Sequence, residues 1–198
     1  MHDDGVIKYR CDWDPGPPLI FEQLTSLIAW RDRLYKAGLI GVYPDGIGFG
    51  NISQRLTGTS FLISGTQTGH YPATTSAHYT LVDQWDIAQN TLHCVGPLKA
   101  SSESLTHGAL YEYSPDIQAI VHIHHRELWQ AYQHVLPTTR ADVAYGTPAM
   151  ADEMWRLFRE SDLHTQKVLV MAGHEDGLIA FGQTLQVAAS NLLSLLKS

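Results

Sequence analysis

The sequence is sparing with several features that would assign it quickly. It holds only two cysteines, Cys11 and Cys94, far apart and outside any CxxC pair. A disulfide framework is therefore not expected, and both are read as free thiols in a reducing compartment. Basic clusters are absent and the formal charge is −7, which argues against nucleic acid and anionic membrane surfaces as partners. A small anionic ligand is not excluded, because a local pocket can oppose the global charge. No window approaches the roughly 18 apolar residues that span a bilayer. The opening stretch MHDDGVIKYRCDWDPGPP has no apolar core of signal-peptide type, so a cytoplasmic location is expected. Nucleotide cradles are missing too: no GxGxxG follows a strand, and no GxxxxGK precedes a Ser or Thr.

What is present is a chain of 198 residues with 44% hydrophobic content, enough for one sizeable core. The Pro-rich DPGPP at 14–18 predicts the end of an irregular N-terminal arm over 1–18, followed by a single domain over 19–198. FEQLTSLIAWRDRLYKAGL predicts a helix, with Phe21, Leu24, Ile28 and Leu34 on one face and a stop at Gly38. GIGFGNISQRL and SFLISGTQTG predict strands with Gly-rich loops, and HYTLVDQWDIAQNTLHCVG predicts a further pair. SSESLTHGALYEYSPD opens as a helix that Ser101 or Ser102 could cap. IQAIVHIHH, KVLVMAG and GLIAFG predict short strands, and TPAMADEMWRLFRES and TLQVAASNLLSLLKS predict helices. Strand pairs in tandem among four helices predict a layered α/β fold whose sheet is largely antiparallel.

The chemistry concentrates in AIVHIHH at 119–125. Side chains alternate faces along a strand, so His122 and His124 share one face while Ile123 and His125 point the other way. Two imidazoles one pleat repeat apart can reach a single ion, although paired polar residues at a strand end would read the same way. A third donor is offered by MAGHEDGLIAFG, where His174, Glu175 and Asp176 sit in a Gly-bounded turn. Such a turn also suits a solvated hairpin. Glu103, at a helix start, fits either a carboxylate stabilised by the helix dipole or a general acid/base near a metal. His107, four residues on, could orient it or could be a core histidine. Three small polar loops supply Gly48, Gly50, Asn51 and Ser53, then Thr66, Thr68 and Gly69, then Lys99, Ser101 and Ser102. Their backbone N–H groups, hydroxyls and amide could together form an anion pocket.

In order and spacing, GNIS, TG, SSExxxH, HIH and GHEDGLIAFG resemble the class II aldolase/adducin family, from about residue 20 onward. The resemblance implies a three-layer α/β/α fold with a central, mainly antiparallel sheet, a divalent ion, usually Zn2+, and a homotetramer. It implies a metal-dependent lyase of aldolase type acting on a small sugar phosphate or hydroxy-ketone through an enediolate. The same site could serve an epimerase, dehydratase or decarboxylase, and adducin-like members are non-catalytic interaction modules. Carried over, His122 and His124 correspond to metal ligands, Asn51, Thr68, Gly69, Ser101 and Ser102 to the phosphate pocket, and Glu103 to the acid/base carboxylate. The third ligand falls on His174 or Asp176, with His174 preferred because an imidazole completes a three-histidine set. The family's proton-donating tyrosine has no clear counterpart, and Tyr145 stands where an aromatic without catalytic role is common.

Overall fold

The computed structural model describes residues 5–197. In chain order the elements are β1 Arg10–Pro15, α1 Gln23–Lys36, β2 Gly41–Val42, β3 Gly48–Phe49, β4 Asn51–Arg55, β5 Phe61–Ser64, β6 Tyr79–Asp86 and β7 Thr91–Gly96. They continue with α2 Ser104–Tyr113, β8 Ala119–His124, α3 Arg126–Tyr132, α4 Pro148–Glu160, α5 Leu163–Gln166, β9 Val168–Val170, β10 Gly177–Gly182 and α6 Leu185–Leu195. Eight strands form one sheet in the order β1-β7-β6-β5-β4-β8-β10-β9, and β2 and β3 pair separately. Every pairing in the large sheet is antiparallel except β1 with β7.

Helices cover both faces, as the α/β/α expectation required. Ile63, Ile120 and Ile179 belong to a core cluster that includes Leu105 and Leu110 of α2 and Met150, Met154 and Leu157 of α4. Leu62, Val121, Ile123, Leu178 and Ala180 belong to a second cluster with Leu24, Leu27 and Leu34 of α1 and Ala188, Ala189 and Leu192 of α6. The period-2 alternation of β8 thus divides its residues between two cores. Each fully buried Leu or Ile contributes about 1.5–3 kcal/mol by leaving water. Among the described residues, no helix is long and apolar enough to cross a membrane.

The structure departs from the sequence expectations in several places, among them the short helix α5. The N-terminal arm expected over 1–18 is not irregular throughout, since Arg10–Pro15 is an edge strand in the same sheet as the rest of the chain. Its Cys-Asp-Trp-Asp alternation turns Cys11 and Trp13 toward the first core cluster and leaves Asp12 and Asp14 on the outer side. GIGFGNISQRL is split into β3 and β4 at Gly50, whose φ of +76° breaks the extended run. The seven-residue helix α3 follows β8 where no helix was expected, and His125 caps it by accepting from Leu128 N–H at 3.3 Å. The third histidine of the run therefore serves helix initiation.

β1 is pinned from outside the core by His93 of β7. Nδ1 of His93 lies 2.6 Å from Asp83 of β6, and Nε2 lies 3.2 Å from Asp14 of β1. The Asp83 hydrogen bond outweighs partial burial and, helped by Asp14, holds the imidazole above its ordinary pKa. The stability this provides is complete below the unfolded histidine pKa of about 6.5 and is lost as pH rises through the higher folded value. We expect the melting temperature of the wild type to fall more steeply than that of His93→Gln as pH is raised from about 6 through the folded pKa of the histidine, measured by thermal denaturation at matched ionic strength.

Candidate active site

Three neighbouring strands bring the candidate residues to one end of the sheet. In the β8–β10 register Gly177 is opposite His124 and Ile179 opposite His122, and in the β4–β8 register Asn51 is opposite His122. His122 and His124 continue the β8 face that carries Ile120, where α2 packs. The start of α2 accordingly delivers Glu103 to the same place.

His122, His124 and His174 are all buried, and their ligand atoms lie within 4.8 Å of one another. Ring centroids are 4.8 Å apart for His122–His124, 5.1 Å for His122–His174 and 4.6 Å for His124–His174. A metal with zinc–nitrogen bonds of about 2.0–2.1 Å holds its imidazole nitrogens roughly 3–4 Å apart, so small side-chain rotations would close this set. The donors are borderline-soft nitrogen ligands of the type a catalytic divalent ion uses, with room left for other ligands. The residues present therefore fit such an ion. Of the two candidates in the turn, the structure groups His174 with the strand histidines. Asp176 is turned toward Arg126, with Oδ1 3.4 Å from its Nε, and adopts a φ of +65°.

Two of the three imidazoles are held by neighbouring aromatic side chains. The Tyr43 hydroxyl lies 2.6 Å from Nδ1 of His124, which leaves Nε2 for the cleft. Such a partner fixes ring orientation and tautomer. The ring of Tyr145 stacks on His174 at 4.3 Å and 22°. Nδ1 of His174 is 3.2 Å from Oε1 of Glu103.

Glu103 is 1% exposed, and its side chain makes no capping hydrogen bond to α2. The turn is closed instead by Ser101, whose carbonyl accepts from Ser104 N–H at 3.0 Å and Ser104 Oγ at 2.7 Å. Among the described residues, neither carboxylate oxygen of Glu103 nor Oδ1 of Asn51 has a hydrogen-bond partner. Burial pushes the Glu103 carboxyl up, but the adjoining His174 and then His122 outweigh it and hold it at about 2. A fully buried carboxylate without hydrogen-bond donors is costly unless a positive charge or a ligand meets it.

The cleft above this cluster is lined by all five residues read from the sequence as phosphate contacts, Asn51, Thr68, Gly69, Ser101 and Ser102. Gly48, Gly50 and Thr66 line it as well. Close packing demands glycine at Gly69, where a Cβ would come within 2.0 Å of the Gly41 carbonyl oxygen. The Thr68 hydroxyl donates to Gly65 O at 2.8 Å, inside the turn. Ser53 and Lys99 are not among the lining residues. Ser53 Oγ sits 2.7 Å from both His107 Nδ1 and Tyr111 Oη, and Lys99 Nζ lies 5.9 Å from the Trp13 ring. His107 therefore does not orient the Glu103 carboxylate, and burial, followed by the nearby His122, lowers its pKa to about 3 and keeps it neutral.

Sequence reasoning missed Tyr43 and Arg31. Arg31 of α1 is 1% exposed and donates to Thr68 O at 2.7 Å, to Gly69 O at 3.4 Å and to Tyr71 O. It gathers the loop carbonyls away from the cleft. Its signal in the sequence was weak but real, since it is a charged residue on the apolar face of a helix, where burial requires partners.

The chain matches the family described as class II aldolase and adducin N-terminal domain over residues 27–198. No curated protein matches it by sequence. Among solved structures, YgbL of Klebsiella pneumoniae, described as a candidate aldolase, epimerase or decarboxylase, superposes with a TM-score of 0.65 at 19% identity, covering 90% of this chain and 88% of that one. L-fuculose-1-phosphate aldolase of Thermus thermophilus superposes with a TM-score of 0.60 at 23% identity, covering 88% and 89%. At these identities the likeness concerns the fold.

Replacing Arg31 by Met should leave three loop carbonyls, two of them buried, short of a donor and lower the unfolding free energy by about 2 kcal/mol or more, read from urea denaturation. Amide exchange should rise locally over 68–71 before it rises elsewhere. By its matched length and its fold, the chain belongs to the class II aldolase/adducin family.

Proposed function

We propose that this chain is a metal-dependent lyase of aldolase type that acts on a small hydroxy-ketone or sugar phosphate through an enediolate. The observation that carries the reading is the convergence of three buried imidazoles with one buried carboxylate at the base of a cleft walled by neutral hydrogen-bond donors.

His122, His124 and His174 would hold the divalent ion. When bound, such an ion supplies Lewis-acid stabilisation to negative charge developing on neighbouring substrate oxygens. Glu103 is the residue placed to carry a proton. Its carboxylate is buried and lies beside His174. That position suits general-base removal of a hydroxyl or carbon-bound proton, with return of the proton to the product. Ser101, Ser102, Asn51 and the Thr68–Gly69 turn bind and orient the other end of the substrate. Arg31 keeps the carbonyls of that turn directed away from the ligand. Tyr43 and Tyr145 keep two of the imidazoles in place.

Zinc as the ion, phosphate on the substrate, a homotetramer as the assembly and the cytoplasm as the compartment are the finer parts of this proposal. Each rests on the family resemblance. Epimerase, dehydratase and decarboxylase activities use the same arrangement and differ in the bond broken, so product analysis separates them.

The test is turnover of a panel of ketose, aldose and sugar-acid phosphates, and of their unphosphorylated counterparts, by Zn2+-loaded protein, with products identified by mass spectrometry and NMR. Release of an aldehyde and a three-carbon ketone supports the aldolase reading. A changed stereocentre, loss of water or loss of CO2 replaces it with one of the alternatives. Two variants locate the chemistry. Glu103→Gln should retain metal and lose about 10²–10⁴-fold in kcat. His122→Ala should take up no ion, and the rise in melting temperature on adding Zn2+ to chelator-treated wild type should vanish in it.

A further inference from the structure

The family match begins at residue 27, yet the cleft has a wall that comes from before it. Gly5 lines the cleft, and its carbonyl accepts from Thr66 Oγ1 at 3.5 Å. Lys8 places Nζ 3.7 Å from the centroid of Tyr145, the ring that stacks on His174. The Tyr145 hydroxyl donates to Val6 O at 3.3 Å, so the segment holds this ring by its hydroxyl and by its face. Tyr9 is 5% exposed, and its hydroxyl donates between Ala100 O at 3.1 Å and Ser101 O at 2.9 Å. These are the carbonyls of the turn that presents Ser101, Ser102 and Glu103.

The segment is itself anchored. Asn90 Nδ2 donates to Lys8 O at 2.9 Å, and Arg10 N–H donates to Asn90 O at 2.9 Å. Immediately afterwards β1 docks in parallel on β7. A segment fixed at one end by a sheet and touching the site through Gly5, Val6, Lys8 and Tyr9 is built to transmit position, because packed elements shift as units.

We propose that Gly5–Tyr9 is a working wall of the catalytic cleft. Tyr9 is a positioning residue for the Ser101–Glu103 turn, and Lys8 acts through Tyr145 as a positioning residue for His174. The inference rests on the metal-centre reading above and extends it to residues outside the family match. It assigns the two contacts different consequences. Tyr9 supports the part of the cleft that binds the far end of the substrate, whereas the Lys8–Tyr145 stack supports a metal-binding imidazole.

The experiment compares wild type, Tyr9→Phe and Lys8→Met as full-length proteins, using Co2+ as the metal probe and phosphoglycolohydroxamate as the ligand probe. Tyr9→Phe keeps the ring and removes the hydroxyl. It should bind Co2+ as the wild type does and weaken the hydroxamate about tenfold, as expected for one lost hydrogen bond that orders a binding turn. Lys8→Met keeps the aliphatic stem and removes the charge. It should weaken Co2+ about tenfold and shift the visible absorption of the bound ion, as loss of outer support for a ligand does. Both should melt within a few degrees of the wild type.

If both variants match the wild type within twofold in Co2+ and hydroxamate affinity, this proposal is overturned while the metal-centre reading stands. It is equally overturned if the losses appear only in step with a large fall in melting temperature, since the segment is then scaffolding alone. A wild type that takes up no Co2+ overturns both readings together. Should Tyr9→Phe fail to fold, the half-buried Lys8 still decides the matter through the spectrum of its Met variant.

Discussion

The site depends on the antiparallel register between β8 and β10. With Gly177 opposite His124 and Ile179 opposite His122, the turn that precedes β10 places His174 over the strand histidines. A slip of one residue would reverse every side chain of β10. Ile179 and Leu178 would then exchange the two cores in which each is fully buried. The apolar packing that stabilises the sheet therefore also brings the imidazoles together, and Tyr43 and Tyr145 then orient two of them.

The same economy explains which parts were legible beforehand. His122 and His124 could be read from three letters, because strand alternation is a local rule. The α1, α2, α4 and α6 helices were legible from their apolar spacing and their stops. His174 was preferred to Asp176 on donor type alone, because the outcome depends on how a turn in which Asp176 takes a φ of +65° folds back. Asp176 spends its carboxylate on Arg126, a residue of an unexpected helix. That helix is seven residues long, too short to display a period.

Tyr43, Arg31 and Tyr9 were hidden for a different reason. Each acts on the site through one atom, from a position 81, 37 or 92 residues away along the chain. No local pattern records such a contact. β1 was concealed likewise, since its partner β7 lies about eighty residues later and its own outer face is acidic. What the sequence records well is periodicity, and what it records poorly is long-range support of a site from behind.

The charge of the cleft links these supports to the chemistry. Among the described residues, its lining contains one carboxylate, Glu103, and no Lys or Arg, in a chain that is acidic overall. With neutral imidazoles the base of the cleft is therefore negative and would repel an anionic ligand. A divalent ion on the three histidines would reverse that sign, so ion and anionic substrate would favour each other's binding by the same factor. Neutral donors at Asn51, Ser101, Ser102 and the Thr68–Gly69 turn then suffice to orient the anion. A fixed Lys or Arg among them would hold it whether or not the ion was present. On the proposed reading, a cleft without cationic side chains among its described lining residues would make substrate binding conditional on a loaded metal centre and would put the burden of specificity on the turns that Arg31 and Tyr9 hold in place.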